Sequence, residues 1–271
     1  LETDGWDGQW YRRGCFDDGT PLGSSSRPEC RIDSIAQSWA VLSGVARPER
    51  ARESMEQAHS QLVLAEQRVS RLFTPPFDTS EPDPGYISAY PPGVRENGGQ
   101  YTHGAAWSVL AWAGLGRRDR AAETFALLNP VNHALNSAAA GTYRVEPYVV
   151  AADVYGEPPL LGRGGWTWYT GSAGWLYRAG LEGVLGLHRE GDHLVIRPCL
   201  APDWTQVSVR YRVGATTYDL DIRSAGGTRS EVIQLTVDGR DAPVAPQARI
   251  LLADDGRTHW ATVQIGDRPK T

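Results

Sequence analysis

The chain has 271 residues, 41% of them hydrophobic, and a formal net charge of -5. This supplies enough apolar side chain for a folded core, and the acidic balance excludes a nucleic-acid surface held by bulk positive charge. No apolar run reaches the roughly 18 residues of a membrane span, the N-terminal residues lack a signal-peptide pattern, and Cys15, Cys30 and Cys199, odd in number and without paired metal-ligand spacing, read as reduced packing thiols.

In chain order, Trp6, Trp10, Tyr11 and Phe16 alternate with Arg12, Arg13, Asp17 and Asp18 before a turn series at Gly19, Pro21 and Gly23. This is a loop with aromatic anchors, whose aspartates cap turns or contact a metal or sugar. Asp33 to Leu42 has helical spacing. A second helix starts at Pro48 and is carried by Ala51, Met55, Ala58, Leu62, Ala65 and Val69 as far as Leu72. From Thr74 to Gly99 prolines at 75, 76, 82, 84, 91 and 92 exclude regular helix and mark a long, stiff loop of the kind that often carries function.

The stretch from Tyr90 to Leu115, YPPGVRENGGQYTHGAAWSVLAWAGL, organises the chain. Polar residues sit where the loop hands over to a buried helix, and a helix start offers unpaired N–H groups to an anion. Helical pattern returns at Asp119–Leu128, and a glycine- and alanine-rich connector then leads to Tyr143. Pro147 is placed to open a helix through Val150 and Val154, and WTWYTGSAGWLYRAGLEGVLGL supplies another helix after a glycine-rich loop. Loop, polar aromatic mouth and buried helix thus recur three times, which suggests helix mouths facing one centre. After His188 short alternating segments such as QVSVRYRV and TTYDLDIRS announce antiparallel strands. The expected fold is mainly α with a C-terminal antiparallel β-domain, divided as 1–188 and 189–271.

Two constellations can carry chemistry. Arg95, Glu96, Asn97, Tyr101, Thr102 and His103 combine a cation, a carboxylate and hydrogen-bond donors; arginine offers a rigid fork and a protonated histidine a charge-assisted donor. His103 also suits a hydrogen-bonded core position, and Arg95 a structural ion pair. The second constellation is Arg163 with Gly162, Gly164 and Gly165, then Thr167, Tyr169, Thr170, Gly171 and Ser172 at a helix start, an arrangement suited to a phosphate or equally to close helix packing. Trp166, Trp168 and Trp175 can stack on sugar or fill the core. Neither a P-loop nor a dinucleotide fingerprint is present.

The strings YPPGVRENGGQYTHGAAW, YRVEPYVVAADVY and GRGGWTWYTGSAGWLYR, with QWYRRGCFDDGTPLGS and GLHREGDHLVIRPCL, resemble the C-terminal half of the inverting phosphorylases of glycoside hydrolase family 94. The likeness covers roughly residues 1 to 225 and leans toward the phosphorylase-like region of cyclic β-1,2-glucan synthases and toward 1,2-β-oligoglucan phosphorylases. It implies the rear part of an (α/α)6 barrel, an α/α toroid, followed by a β-sandwich or jelly-roll-like domain. Also implied are inorganic phosphate as co-substrate with no other cofactor and no metal, phosphate held by His103, Thr170 and Gly171, and a sugar site that includes Glu96. Arg95, Asn97, Tyr101 and Trp168 complete the expected substrate contacts.

The family's general acid lies in a GDWNDG-type motif before the WYRR segment, followed by a phosphate-binding arginine. This sequence has neither, since Asp4 and Asp7 stand in a different context. No catalytic residue is therefore assigned within the chain, which is expected to work with an upstream half of the same polypeptide and to be inactive alone. Where disaccharide phosphorylases carry a glutamine after the EPYV string, Ala151 or Ala152 stands here, which fits a β-1,2-glucan better. The expected partners are a β-glucan or oligosaccharide and the upstream half, with a homodimer allowed, no nucleic acid and no membrane span in this segment. The expected location is cytoplasmic, inside a parent that can be membrane-associated. A noncatalytic glucan-binding domain and a related helical-barrel glycosidase or transferase stay open as alternatives.

Overall fold

Asp33 begins the helical part: its carboxylate accepts hydrogen bonds from Ile35 N (2.8 Å) and Ala36 N (3.4 Å), capping α1, Ser34–Leu42. The same carboxylate takes an ion pair from Arg13, so the aromatic N-terminal loop is tied to the cap. The computed structural model describes residues 1–168, 170–225, 231–245 and 247–267. Contacts divide the chain into two compact units, one of Leu1–Leu115 with Glu123–Ala179 and one of Gly116–Ala122 with Gly180–Thr271.

Pro48 opens α2, Pro48–Leu62, at a position where its missing N–H costs nothing. The apolar spacing predicts a helix as far as Leu72, but it ends ten residues sooner. Val63–Leu64 instead turns back on Val69–Ser70 as a two-residue antiparallel ladder, with Arg68 at φ 55 in the turn. Val69 is fully buried, so its place in the apolar pattern is met by a hairpin rather than by further helix.

The helices that follow are α3 (Thr102–Gly114), α4 (Arg118–Leu128), α5 (Ser137–Tyr143) and α6 (Thr170–Arg178). α6 passes into a π-helical turn, Ala179–Val184. α5 falls where the sequence suggested only a connector; Asn136 caps it by accepting from Ala139 N at 3.0 Å, and its run of alanines favours helix. Conversely, no helix starts at Pro147. The segment reaches Asp153–Val154 as a strand that pairs with Gln100–Tyr101, in keeping with the β-branched Val149, Val150 and Val154. Of the three expected helix mouths, two exist, at α3 and α6.

α3 packs between α1 and α6. Gly104 permits the approach to α1, because a β-carbon there would lie 3.2 Å from Leu72 Cδ1 and 3.5 Å from Ile35 Cγ1, while Ser38 and Ser108 share a hydroxyl hydrogen bond of 3.0 Å. Among the described residues no helix is long and apolar enough to cross a membrane, and no group of three or more His, Cys, Asp or Glu is placed to hold a metal ion.

The second unit contains β1 (Leu187–Glu190), β2 (His193–Ile196), β3 (Gln206–Val213), β4 (Thr216–Ser224), β5 (Glu231–Val237), β6 (Arg240–Ala242), β7 (Arg249–Leu251) and β8 (Thr258–Gly266). They form a three-stranded sheet in the order β7-β2-β1 and a five-stranded sheet in the order β3-β4-β8-β5-β6. The pairing is antiparallel with one departure from expectation: β4 and β8 run parallel, Leu220 opposite Ala261 and Ile222 opposite Val263. A parallel pair needs a long crossover, and residues 225–257 provide it. Alternation puts Tyr218, Leu220, Ile222, Leu235, Val263 and Ile265 in one core, and leaves Asp219, Asp221, Trp260 and Thr262 on the other face.

Candidate active site

The loop before α3 is built on Asn97. Its side-chain amide is fully buried and donates to Phe77 O (2.9 Å) and Tyr90 O (2.7 Å), while its Oδ1 accepts from Phe77 N (2.7 Å). These bonds use the amide as a frame for the proline-rich loop, so Asn97 shapes the ground on which its neighbours stand. Between its two ends the loop tightens through Gly93 N to Asn97 O (2.7 Å) and Val94 N to Pro91 O (3.0 Å), with Arg95 held at φ 50. Left-handed backbone at a non-glycine residue is uncommon and needs surrounding structure to hold it.

Asp153 supplies part of that support. It is 1% exposed, and its carboxylate accepts from Arg95 N (3.3 Å) and Trp166 N (3.1 Å), joining the loop before α3 to the glycine-rich loop before α6. Burial pushes its pKa up against the opposing pull of these donors. Gly165 lies so close to the Asp153 carboxylate that a β-carbon would collide with it, which gives that glycine a steric reason. Sequence reasoning missed Asp153; the available signal was a single carboxylate inside the apolar string Ala151, Ala152, Val154.

The Arg95 guanidinium stands 3.4 Å from Glu96 Oε2 and lies over two rings, Tyr90 at 5.3 Å and Trp166 at 5.8 Å. Burial lowers and the nearby Glu96 raises the Arg95 pKa, and the balance is upward, so its positive charge is secure. Trp166 and Trp168 expose most of their surface, at 63% and 70%. Trp168, at φ 59, directs its indole N–H to Glu146 Oε1 at 3.3 Å. The cluster is an anchored cation and carboxylate beside the exposed Trp166 indole, a combination that can grip hydroxyl groups and cover a sugar face.

His103 lies in the first turn of α3, inside a half-ring of aromatic side chains. Tyr101 is stacked with it (6.2 Å, 7°), and Trp107 and Trp175 lie at 5.3 and 5.9 Å. Burial pushes the His103 pKa down, favouring the neutral imidazole. Gly171, in the first turn of α6, faces this ring: a β-carbon there would be 3.4 Å from His103 Cε1 and 3.5 Å from Nδ1. Two helix starts 68 residues apart in sequence are therefore neighbours at this point. Thr170 opens α6, but its side chain and all of Tyr169 lie outside the described residues.

With this geometry in view, the family model for the glycosyl hydrolase 94 superfamily, catalytic domain, matches residues 1–186. The chain belongs to that superfamily. Among curated relatives, it is 60% identical over 222 residues to the cyclic beta-(1,2)-glucan synthase NdvB of Rhizobium meliloti (strain 1021), covering 82% of this chain and 8% of that protein. It is 31% identical over 268 residues to the solabiose phosphorylase of Paenibacillus borealis, covering 98% of this chain and 34% of the relative. Identity to the N,N'-diacetylchitobiose phosphorylase of Vibrio furnissii is 31% over 242 residues, with 88% and 30% covered. The chain thus spans about a third or less of the length of these relatives. The association with domains of the phosphorylase and glucan-synthase kind is thus one of family.

Proposed function

We propose that the chain is the rear portion of a glycoside phosphorylase-like catalytic domain acting on β-1,2-glucan or a related β-glucoside, with inorganic phosphate as co-substrate. The helices α1, α3 and α6 then belong to an (α/α)6 toroid, and the sheets to a sandwich-like C-terminal domain. The observation that carries the reading is the meeting of His103 with Gly171 between two helix starts, in the same unit as the sugar-compatible cluster of Arg95, Glu96 and the exposed Trp166 indole. The 60% identity to a cyclic beta-(1,2)-glucan synthase favours a β-1,2-linked donor.

In the proposed reaction a phosphate oxygen attacks the anomeric carbon as the glycosidic C–O bond breaks. An acid protonates the leaving oxygen, and a single displacement inverts configuration to α-glucose 1-phosphate. Phosphate is already nucleophilic, so no second carboxylate is needed to activate water. His103 donates from its imidazole, Thr170 from its hydroxyl and Gly171 from its backbone N–H. Arg95, Glu96, Tyr101 and Trp168 orient the glucosyl unit, with Asn97 and Asp153 holding the loops that carry them.

The motif that carries the family's acid is not in this sequence, and one positioned proton donor accounts for about 10²–10⁴-fold in rate, so residues 1–271 alone are expected to turn over little. In a complete enzyme, His103→Ala removes one hydrogen bond to a charged ligand, worth about 1.5–3 kcal/mol, which corresponds to roughly 10- to 150-fold in kcat/KM for phosphate. Glucan binding measured without phosphate should change far less. Equal phosphate dependence in the wild type and in His103→Ala would remove the reading.

A further inference from the structure

The outer face of the five-stranded sheet carries a groove of about 510 Å³ lined by Ser208, Arg210, Asp219, Asp221, Trp260 and Thr262, with the backbone of their strands as its floor. The register explains why these side chains meet. Arg210, Asp219 and Trp260 stand opposite one another across β3, β4 and β8, and Ser208, Asp221 and Thr262 form the next row on the same face. The volume falls in the range of about 300–1,000 Å³ usual for small-molecule sites.

The groove's charges are already matched. Arg210 grips Asp219 through two bonds, Nε to Oδ1 at 2.7 Å and Nη2 to Oδ2 at 3.0 Å. Asp221 accepts from Gln206 Nε2 at 2.7 Å and from Arg223 Nε at 2.8 Å. These pairs fix the polar groups in place, with Arg210 well exposed and the two carboxylates partly so. Beside them Trp260 is 65% exposed, and among the described residues its indole contacts no other aromatic ring. A large ring costs free energy when left in water and contributes little to the core from this face.

A polyanion would call for surplus cations, which matched pairs do not provide. A protein partner would call for an apolar patch at the centre of the face, where these two rows present one indole among charged and hydroxylated side chains. The remaining match is a neutral, polyhydroxylated ligand with a flat C–H face for the indole and hydroxyl groups for the fixed carboxylates, guanidinium and hydroxyls. We propose that the β3–β4–β8 face is a second, noncatalytic saccharide-binding site that holds neutral glucan with Trp260 as its platform. It goes beyond the phosphorylase reading and rests on that reading only for the choice of glucan.

Affinity electrophoresis of the 271-residue chain in gels containing linear β-1,2-glucan, without phosphate, tests it. The expected result is retardation of the wild type, with apparent affinity falling at least tenfold in Trp260→Ala and in Thr262→Arg, which fills the groove. Trp168→Ala should leave a retarded species that still depends on Trp260. Circular dichroism melts check folding, and Thr262→Arg decides the matter should Trp260→Ala fail to fold. Unchanged retardation in both sheet variants overturns the proposal while leaving the phosphorylase reading intact. So does loss of retardation in Trp168→Ala alone. Concentration-dependent self-association in analytical ultracentrifugation that is abolished by Trp260→Ala, with no glucan retardation, would also overturn it and assign the face to a second copy of the chain.

Discussion

Around Asp153 the loops of the first unit are held by buried polar groups, whereas the β4–β8 region of the second is held by apolar side chains. Asn97 spends its whole amide on Phe77 and Tyr90, Gln100 accepts from Ser70 N at 2.9 Å, and Asp153 takes N–H groups from Arg95 and Trp166. In the sheet, Leu220 and Ile222 share one apolar cluster with Val263 and Ile265, and Asp219 and Asp221 lie on the other face. Hydrogen bonds specify direction, so they can hold irregular backbone at Arg95 and Trp168; apolar burial only asks for area and is best served by regular strands. The candidate site falls in the first kind of structure because its residues must point in particular directions.

The contrast can be broken most forcefully in the sheet. Leu220→Ala should cost about 2–5 kcal/mol in denaturant unfolding, the usual range for a buried leucine. A loss below about 1 kcal/mol would mean that the sheet does not depend on this cluster. Next in size is Asn97→Ala, which leaves Phe77 N–H, Phe77 C=O and Tyr90 C=O without their partner. A loss of about 1–3 kcal/mol is expected, with faster hydrogen exchange confined to the loop between Phe77 and Gly99. Exchange that quickens uniformly over the unit would show that the amide supports more than its loop.

This difference also sets what was readable in advance. The strands from Gln206 to Val213 and Thr216 to Ser224 alternate with period two because one face is buried, and the sequence shows that directly. α1, α3, α4 and α6 are legible from their apolar spacing, whereas Val149, Val150 and Val154 read as helix because no local signal reveals that Asp153–Val154 pairs with Gln100–Tyr101. The polar residues before α3 drew attention by type. Their division of labour did not, since only the folded chain brings Phe77 to Asn97 and Asp153 to Arg95. Nor could spacing measure how near His103 comes to Gly171.

A smaller effect separates the units by pH. Burial holds the folded-state pKa of His103 and His133 below the ordinary histidine value near 6.5, so the unfolded chain binds protons more readily. Their neutral burial is tolerated above that value and opposes folding as pH falls through it. His259 behaves oppositely: Asp238 at 2.6 Å and Asp255 at 3.2 Å raise its pKa, so its contribution is full below about 6.5 and is lost as pH rises through the raised folded value. Replacing His259 with Asn should flatten the alkaline side of the stability profile of the second unit and leave the acid side of the first unchanged. Site-resolved hydrogen exchange between pH 5 and about 8 checks this, and a His259→Asn profile that parallels the wild type would exclude the clasp.

The smallest expected change in stability is at Trp168. Its side chain is 70% exposed, so Trp168→Ala should alter unfolding by no more than about 0.5 kcal/mol. It should nevertheless weaken saccharide binding at the candidate site in calorimetric titration. A large loss of stability would make the indole part of the frame and bring Trp168 into the same class as Asn97.

The position of β8 sets the order in which its sheet can be completed. β3–β4 and β5–β6 are local hairpins, but neither touches the other in the ladder; β8 lies between them and pairs with both. Until that strand leaves the ribosome, a growing chain holds two half-sheets with open inner edges, each exposing backbone groups that a stranger's strand could pair with. The contacts that close the gap join Thr217 to Thr258 and Ser224 to Ile265, about 41 residues apart, which gives this region a high contact order and slow assembly. A chain shortened before Thr258 should therefore lose more than an edge: it should yield two unjoined hairpins and aggregate, whereas removal of the edge strand β6 should leave a sheet that still closes.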